Sequence, residues 1–491
     1  MMIKQNILKI ALGLILLGIT SCTKFLEEDI KNAASPTNFY TSEAEAKAAV
    51  NGVYTTLYDI FSDPNFFFTV EGSTDLMVMV TDRNVNGNFG YSPAAPGVGQ
   101  EVWKFAYRGI MYANNTIAGI KNSKLTAATQ TKLIAEAVTL RSFYYYILTN
   151  TFSDVPYWTG GLVSENEVDN IIKLPKSDAD FIRNELIKDL ELYAPNLLSK
   201  TDGANIGRVN QGFAYGLIAK LALTNANWEK ARWAAEQVIN LNVYSLVGDF
   251  GDIYKVENNS ESIFEIQYSY SVIGLQRAHQ IYNWCMPTGK SGSVYDGVDL
   301  GASSATPYGA VRPTRRLESY YSATDKRKVH LLASGYNGKE FNRFKNNGRY
   351  WMGPRFWDLE ANNIASGRNQ MFMRYADVLL IMAEALIELE ELGDAKYYLD
   401  LVRNRANIGG ISLTNQVTMR EELRKERGRE LAGDYSRKWD IVRWGIFYES
   451  IKSVATDYAA AAENVKPFQL YYPIPSLEIV KNPALTQNKG Y

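Results

Sequence analysis

Apolar residues recur at helical spacing along much of this 491-residue chain, and the recurrences come in neighbouring pairs. From Ser42 to Tyr58, Ala46, Ala49, Val50, Val53 and Leu57 share one face, and Ser42 with Glu45 three places on makes a capping box. Such a stripe must be buried against a neighbour. The same periodicity predicts helices over 103–120 and 127–146, which would form a hairpin, then over 178–192, 211–223 and 227–240. Four more follow near the C-terminus, at 371–391, 394–406, 417–431 and 437–450.

Two of these segments repeat one another. Ala219-Lys220-Leu221-Ala222 leads to Ala231, and Ala383-Glu384-Ala385-Leu386 leads to Ala395, placing small residues where two helices of a hairpin must approach closely. This resembles tetratricopeptide-like (TPR-like) packing, in which helix pairs stack because none buries its apolar face alone. The predicted fold class is therefore mainly α, a TPR-like helical repeat scaffold.

Elsewhere the periodicity lapses. Gly, Asn and Pro crowd residues 82–99, a loop long enough to be functional. Residues 262–269 alternate like a strand, but 241–370 as a whole is rich in Gly, Ser, Tyr, Trp and Arg and reads as a large, loop-rich insertion with few short strands. The end of the chain, 471–491, carries three prolines that preclude a regular helix, so it should wrap back over the scaffold.

The N-terminus has a basic start with Lys4 and Lys9, an apolar core from Ile10 to Leu17, and then Ile19-Thr20-Ser21-Cys22. That core falls short of the roughly 20 apolar residues a membrane span needs. Small residues before the cysteine fit a lipoprotein cleavage site, with Cys22 acylated as the first mature residue. The expected organisation is a signal peptide over 1–21, a lipidated tether over 22–40, an N-terminal block of helix pairs with its loop over 41–240, the aromatic-rich insertion over 241–370, and a C-terminal block with the wrapping tail over 371–491.

The formal charge is -1, becoming -3 once Lys4 and Lys9 are removed, and suggests no nucleic-acid partner. With Cys22 acylated, Cys285 has no disulfide partner within the chain and reads as a buried small hydrophobe. His279 and His330 have no Glu or His at metal spacing and are taken as structural. The 32 tyrosines and 9 tryptophans stand out, because such rings serve helix packing and wet binding surfaces alike.

Taken in order, the motifs resemble those of the SusD/RagB family of outer-membrane nutrient-binding lipoproteins from Bacteroidetes. They begin with Phe25-Leu26 after the lipidated cysteine, Phe39-Tyr40, Gly52-Val53-Tyr54 and Ala113-Asn114. They continue through Glu136-Ala137, Leu140-Arg141-Ser142-Phe143, Asp154-Val155-Pro156 and Gly207-Arg208 to RYADVLLIMAEAL at 374–386. Arg403, Arg405-Ala406, Glu426-Arg427, Glu430-Leu431, Arg437, Asp440 and Arg443-Trp444 follow, then the terminal Pro-Ile-Pro, Glu478, Asn482-Pro483, Gln487-Asn488 and Gly490-Tyr491. Tyr435 stands where the family usually has Gly, and Lys489 where it usually has Pro. The resemblance implies about four TPR-like helix pairs forming a lid on a TonB-dependent, SusC-like outer-membrane transporter. It implies an oligosaccharide or peptide ligand, no catalysis and no cofactor. The acidic run Glu27-Glu28-Asp29 also resembles the signal that sends such lipoproteins to the cell surface.

Sugar rings present apolar C–H faces and polar rims, so a glycan site needs aromatic platforms flanked by hydrogen-bonding side chains. Two regions supply both, and glycan-binding members of the family use these same regions: Arg83, Asn84, Asn86, Asn88, Phe89 and Tyr91 in the loop, and Tyr282, Asn283, Trp284, Tyr295, Tyr350, Trp351 and Trp357 in the insertion. Asp82-x-Asn84-x-Asn86-Gly87 opens like a calcium loop but has Pro93 where a bidentate Glu is needed, so a turn-rich loop is the better reading and no metal is expected. The charged set from Glu426 to Trp444 is read as an ion-pair network locking the last helices, with Arg437 beside Asp440. A lipid-anchored glycoside hydrolase, with two carboxylates about 5–10 Å apart, and a TPR assembly scaffold without a small ligand are the alternatives of another class.

Overall fold

The computed structural model describes residues 40–491 apart from 82–83, 163–164, 270–277, 289–293, 302–306, 362–364 and 413–414. The signal peptide, Cys22 and its tether, the acidic run at 27–29, and Asp82 and Arg83 lie outside the described residues.

The predicted periodicities become α1 (Glu43–Phe61), α2 (Gly99–Lys121), α3 (Ala127–Phe152), α4 (Ala179–Tyr193), α5 (Gln211–Thr224), α6 (Trp228–Asn240), α7 (Tyr375–Glu388), α8 (Leu392–Arg405) and α9 (Gln416–Glu430). The Ser42–Glu45 capping box starts α1, and side-chain caps from Thr126, Asp178, Asn210, Asn227 and Asn415 start α3, α4, α5, α6 and α9. Each helix from α1 to α6 packs on the next, and α7, α8 and α9 pack on one another. Helix α3 runs through the middle, so every residue from Leu133 to Phe152 is buried. Ala219, Ala222, Ala231, Ala383 and Ala395 are fully buried in the α5–α6 and α7–α8 hairpins, as the repeat spacing requires.

Helix α6 packs directly against α7 although residues 241–374 intervene. The scaffold is therefore a continuous TPR-like stack, and the insertion leaves it and returns at one point. Its neck is an antiparallel ribbon, and four short strands matter below: β1 (Met77–Met79), β2 (Ser262–Ile266), β3 (Val311–Pro313) and β4 (Gln370–Arg374). β2 and β4 form the neck, with Gln370 opposite Ile266 and Arg374 opposite Ser262. Both strands are buried throughout, and β4, reading Gln-Met-Phe-Met-Arg, lacks the alternation that marks β2 in the sequence. That is why 371–374 was expected as the first turn of a helix, and why α7 begins at Tyr375 instead. Apart from β3, the rest of the described insertion is two-residue strand pairs, short helices and turns.

Two further expectations change. The helix predicted over 437–450 is two helices, α10 (Arg437–Arg443) and α11 (Phe447–Lys452), separated by Gly445 at φ +70°. The tail does wrap over the scaffold, where Tyr472 N–H donates to Thr151 O (2.7 Å) and Asn488 Nδ2 to Phe152 O (2.8 Å). Its prolines permit one six-residue helix, Ser476–Lys481, because Pro475 sits at the cap rather than inside.

The ion-pair network is real, but its pairing differs from the expectation. Arg437 reaches Asp75 (2.7 Å), while Asp440 faces Arg427 and Arg443 (2.8 Å each). Arg437 opens α10, where fully buried Asp75 packs against it, and this non-local pair overrides the i, i+3 spacing. Arg374 joins Glu261, Glu430 and Asp434; Arg327 joins Asp325, Glu426 and Glu430. Against the burial that would raise it, Arg405, Arg374 and Arg327 hold the Glu430 carboxyl down at about 2. Tyr435 adopts φ +54°, a region that favours glycine, and its ring packs on Phe61 and Phe66.

Candidate functional site

The loop after β1 spends its polar atoms on itself. Asn84 Oδ1 accepts from the backbone of Asn86 (2.9 Å) and Gly87 (3.3 Å), and Asn84 Nδ2 donates to Asn65. Asn86 is buried, with Oδ1 accepting from Val98 N–H (3.0 Å) and Tyr472 Oη (3.1 Å). Asn88 Oδ1 accepts from Gly90 N–H (2.9 Å). Phe89 and Tyr91 are also buried. Phe89 meets Phe447, and Tyr91 stacks on Tyr472 with ring centres 4.3 Å apart. The expectation that Asn86, Phe89 and Tyr91 form an exposed platform is therefore corrected: Tyr472 of the tail covers Asn86 and Tyr91, and Phe447 of α11 packs on Phe89. The carboxamides of Asn84 and Asn86 are occupied in the same way, which leaves them unavailable as calcium ligands.

The insertion residues divide between two places. Trp357 is buried, donates from Nε1 to Met352 O (2.9 Å), and presents its ring to Tyr336 at 5.4 Å. It backs a cleft of about 850 Å³ that Tyr254, His330, Tyr336 and Arg368 also line. Two of the carboxylates there are committed. Asp358 accepts from Glu360 N–H (3.0 Å) and Ser366 Oγ (2.5 Å), and Glu257 accepts from Asn369 N–H (2.8 Å). Tyr282 packs beside this cleft on His279 (5.0 Å) and under Arg368. His279 is buried, and burial pushes its pKa down to about 4, so its role is neutral packing. Cys285 is buried as expected, and burial raises its thiol pKa.

The second place is an aromatic ledge where the segment after β1 meets the insertion. β1 pairs with β3, Met77 opposite Pro313, and Val80 N–H extends the pairing to Ala310 O (2.8 Å). Tyr308 stands on this edge 46% exposed and leans on half-buried Trp284 with ring centres 4.6 Å apart. Phe68 holds Trp284 from behind at 5.2 Å. Asn283 is buried, and its backbone carbonyl accepts from Tyr308 N–H (2.9 Å). Gly309 has φ +56°, and a Cβ there would meet Trp351 at 2.8 Å, so the turn needs glycine on both counts.

Trp351 continues the ledge, half-buried, with the Arg312 guanidinium 3.4 Å from its ring centre. Tyr295, expected as a platform, is instead the buried support. Its hydroxyl accepts from Trp351 Nε1 (2.9 Å), and its ring meets Trp351 and Phe341 edge-on. Tyr350 is half-buried beside Phe344 (5.0 Å). The structure thus brings together Trp284 and Trp351, leaves Tyr350 beside Phe344 and Lys328, and adds Tyr308 and Arg312, which sequence reasoning missed. Pro307-Tyr308-Gly309 was the available cue, a turn carrying an aromatic side chain.

The structure is thus a helical-repeat stack that displays an aromatic, arginine-bearing ledge on an inserted loop region. The chain belongs to the SusD/RagB family: the family model described as "SusD family" matches residues 325–491, and one described as "Starch-binding associating with outer membrane" matches 24–223. Among curated relatives, SusD-like protein P25 of Formosa agariphila is 26% identical over 96% of this chain and 97% of its own, and SusD-like protein P2 of the same organism is 28% identical over 98% and 99%. The fold also matches solved structures. A SusD homolog of Bacteroides thetaiotaomicron aligns with TM-score 0.79 at 22% identity, over 93% of this chain and 98% of that one. Surface glycan-binding protein A of the same organism, solved in complex with laminarihexaose, aligns with TM-score 0.73 at 22% identity, over 91% and 99%.

Proposed function

We propose that this chain is a surface lipoprotein, held to the outer membrane through Cys22, that binds an oligosaccharide on the Trp284–Tyr308–Trp351 ledge and passes it to a TonB-dependent, SusC-like transporter. The observation that carries the reading is the ledge itself, with Tyr308 exposed over Trp284 and the Arg312 guanidinium alongside on Trp351, on the loop-rich insertion. Exposed rings of this kind stack on sugar C–H faces, and charged neighbours bond the hydroxyl rim. A protein of the same fold, solved in complex with laminarihexaose, supports the glycan, and the outer-membrane association in a matching family's description supports the location.

The family consists of binding proteins, so the ledge is assigned capture and delivery, not hydrolysis. Calorimetry of the soluble form lacking residues 1–22 against a panel of oligosaccharides and peptides tests the ligand class. Binding of an oligosaccharide that disappears in the Trp284→Ala, Tyr308→Ala double variant is expected; peptide binding, or glycan binding that ignores both residues, would refute the ledge. Cys22→Ala in cells should leave that affinity intact and abolish uptake, and co-purification of a barrel with the lipidated form tests the partner.

A further inference from the structure

Arg312 differs from the arginines around it. It lines a pocket of about 130 Å³ with Tyr295, Asp296, Arg343, Arg349 and Trp351. Arg343 has Asp296 at 3.4 Å, and Arg349 has Glu318 at 3.4 Å and Asp457 at 3.0 Å. Arg312 has no carboxylate partner among the described residues. Its Nε donates to Gly309 O (2.6 Å), and its guanidinium lies 3.4 Å from the Trp351 ring centre. These two contacts fix the plane of the guanidinium while leaving both terminal nitrogens uncommitted.

A half-buried cation without an anion loses hydration that nothing in the fold replaces. Burial and the like charge of Arg349 together pull the Arg312 pKa down to about 10, against a raising influence from Tyr295. A planar guanidinium held by stacking is pre-organised to take an oxyanion in two parallel hydrogen bonds. Asp296, the carboxylate that shares the pocket, is engaged by Arg343 and by the Arg343 backbone N–H. With roughly 30 Å³ per water molecule, the pocket holds a few waters, which suits one charged substituent better than a whole sugar ring.

We propose that this pocket is an anion subsite, in which Arg312 receives a carboxylate or sulfate group of a glycan whose rings lie on Trp284 and Tyr308, so that the natural ligand is an acidic oligosaccharide. This inference rests on the ledge being the glycan site. The class of anion, uronate or sulfate ester, is a question for the probe and not for the fork, because each can offer a pair of oxygens to the two terminal nitrogens.

The test is calorimetry of the soluble chain with three tetrasaccharides: an oligogalacturonate, a sulfated carrageenan fragment and neutral laminaritetraose. One of the two acidic probes is expected to bind at least about tenfold tighter than the neutral one. That preference should shrink as salt is raised and fall to within about threefold in Arg312→Gln. Arg312→Lys, which keeps the charge and loses the fork, should retain part of it. Which acidic probe wins identifies the anion. Equal affinity for acidic and neutral probes in the native chain, with neutral binding lost in the Trp284→Ala, Tyr308→Ala variant, would overturn the anion subsite and keep the ledge. Arg312→Gln weakening all three probes by the same factor would also overturn it. No binding of any probe would overturn the ledge and the subsite together.

Discussion

Arginine has two different settings in this protein. In the interior, Arg327 of the insertion, Arg374 of its neck, and Arg427 and Arg437 of the last helices are buried and each meets at least one carboxylate at hydrogen-bond distance. On the ledge of the insertion, Arg312 is half-buried, lies on an indole and has no carboxylate. Buried ion pairs of the first kind cost desolvation and give back geometry, so they fix where helices sit more than they add stability. Glu430 and Asp434 together receive Arg327, Arg355, Arg374 and Arg405, which ties the end of α9 to the neck of the insertion and to the turn before α10. A charge completed by the fold makes a joint; a charge the fold leaves incomplete makes a site.

The sharpest way to break this contrast is to remove one interior arginine. Arg374→Met leaves Glu261, Glu430 and Asp434 short of a partner in a dry interior, and should cost about 3–5 kcal/mol in urea unfolding, loosening the neck ribbon it sits on. A loss under 1 kcal/mol would show that the lattice is redundant.

Acid titrates the same lattice. Burial would raise the Asp440 carboxyl, but Arg427 and Arg443 hold it down at about 2, as Glu430 is held. A carboxylate with a depressed native pKa contributes stability above its unfolded pKa, near 4, and loses it as the pH falls through its native value. Each group should therefore contribute roughly 2–3 kcal/mol that disappears between about pH 4 and pH 2. A melting temperature that is flat across that window would contradict the lattice.

The helices and their pairing were legible where burial on one stripe leaves a period, as along α1, α2 and α6, and where a buried run is too long for a strand, as along α3. Residues 371–374 were not, since a strand buried on both faces and a buried helix read alike as Met-Phe-Met. Nor was the Arg437–Asp75 pair, whose partners lie far apart in sequence. The site was legible as a composition and not as a surface. Tyr91 and Tyr308 look equivalent in the sequence, but Tyr472 of the tail covers one and nothing described covers the other. Exposure is settled by what folds back over a ring, which local pattern does not record.

Lys438 is the scaffold's own exception. It is buried on α10 over the Tyr472 ring at 4.5 Å, has no carboxylate partner among the described residues, and is pushed by burial down to about 7. The unfolded chain keeps that proton up to about pH 10, so between about 7 and 10 the unfolded state holds more protons and stability should rise with pH. Below 7 the burial penalty is complete. Lys438→Met should therefore stabilise the protein at pH 6 by roughly 1–3 kcal/mol, with a smaller gain at pH 9. Destabilisation at pH 6 would mean that rings can hold a buried cation as firmly as carboxylates do, and the contrast drawn above would weaken.

The smallest expected effect on stability is the most informative about function. Tyr308→Ala removes an exposed ring whose partner, Trp284, stays wedged against Phe68, so the unfolding free energy should change by no more than about 0.5 kcal/mol. Glycan affinity should nevertheless fall about tenfold, roughly 1.4 kcal/mol, because a stacking face is lost while the hydrogen-bonding rim remains. Measuring both on one preparation separates the two regions: a scaffold residue moves stability and carries binding down with it, whereas a ledge residue moves binding alone. If Tyr308→Ala instead lowered the melting temperature as Arg374→Met does, the ring would be holding the insertion together, and the ledge would belong with the scaffold.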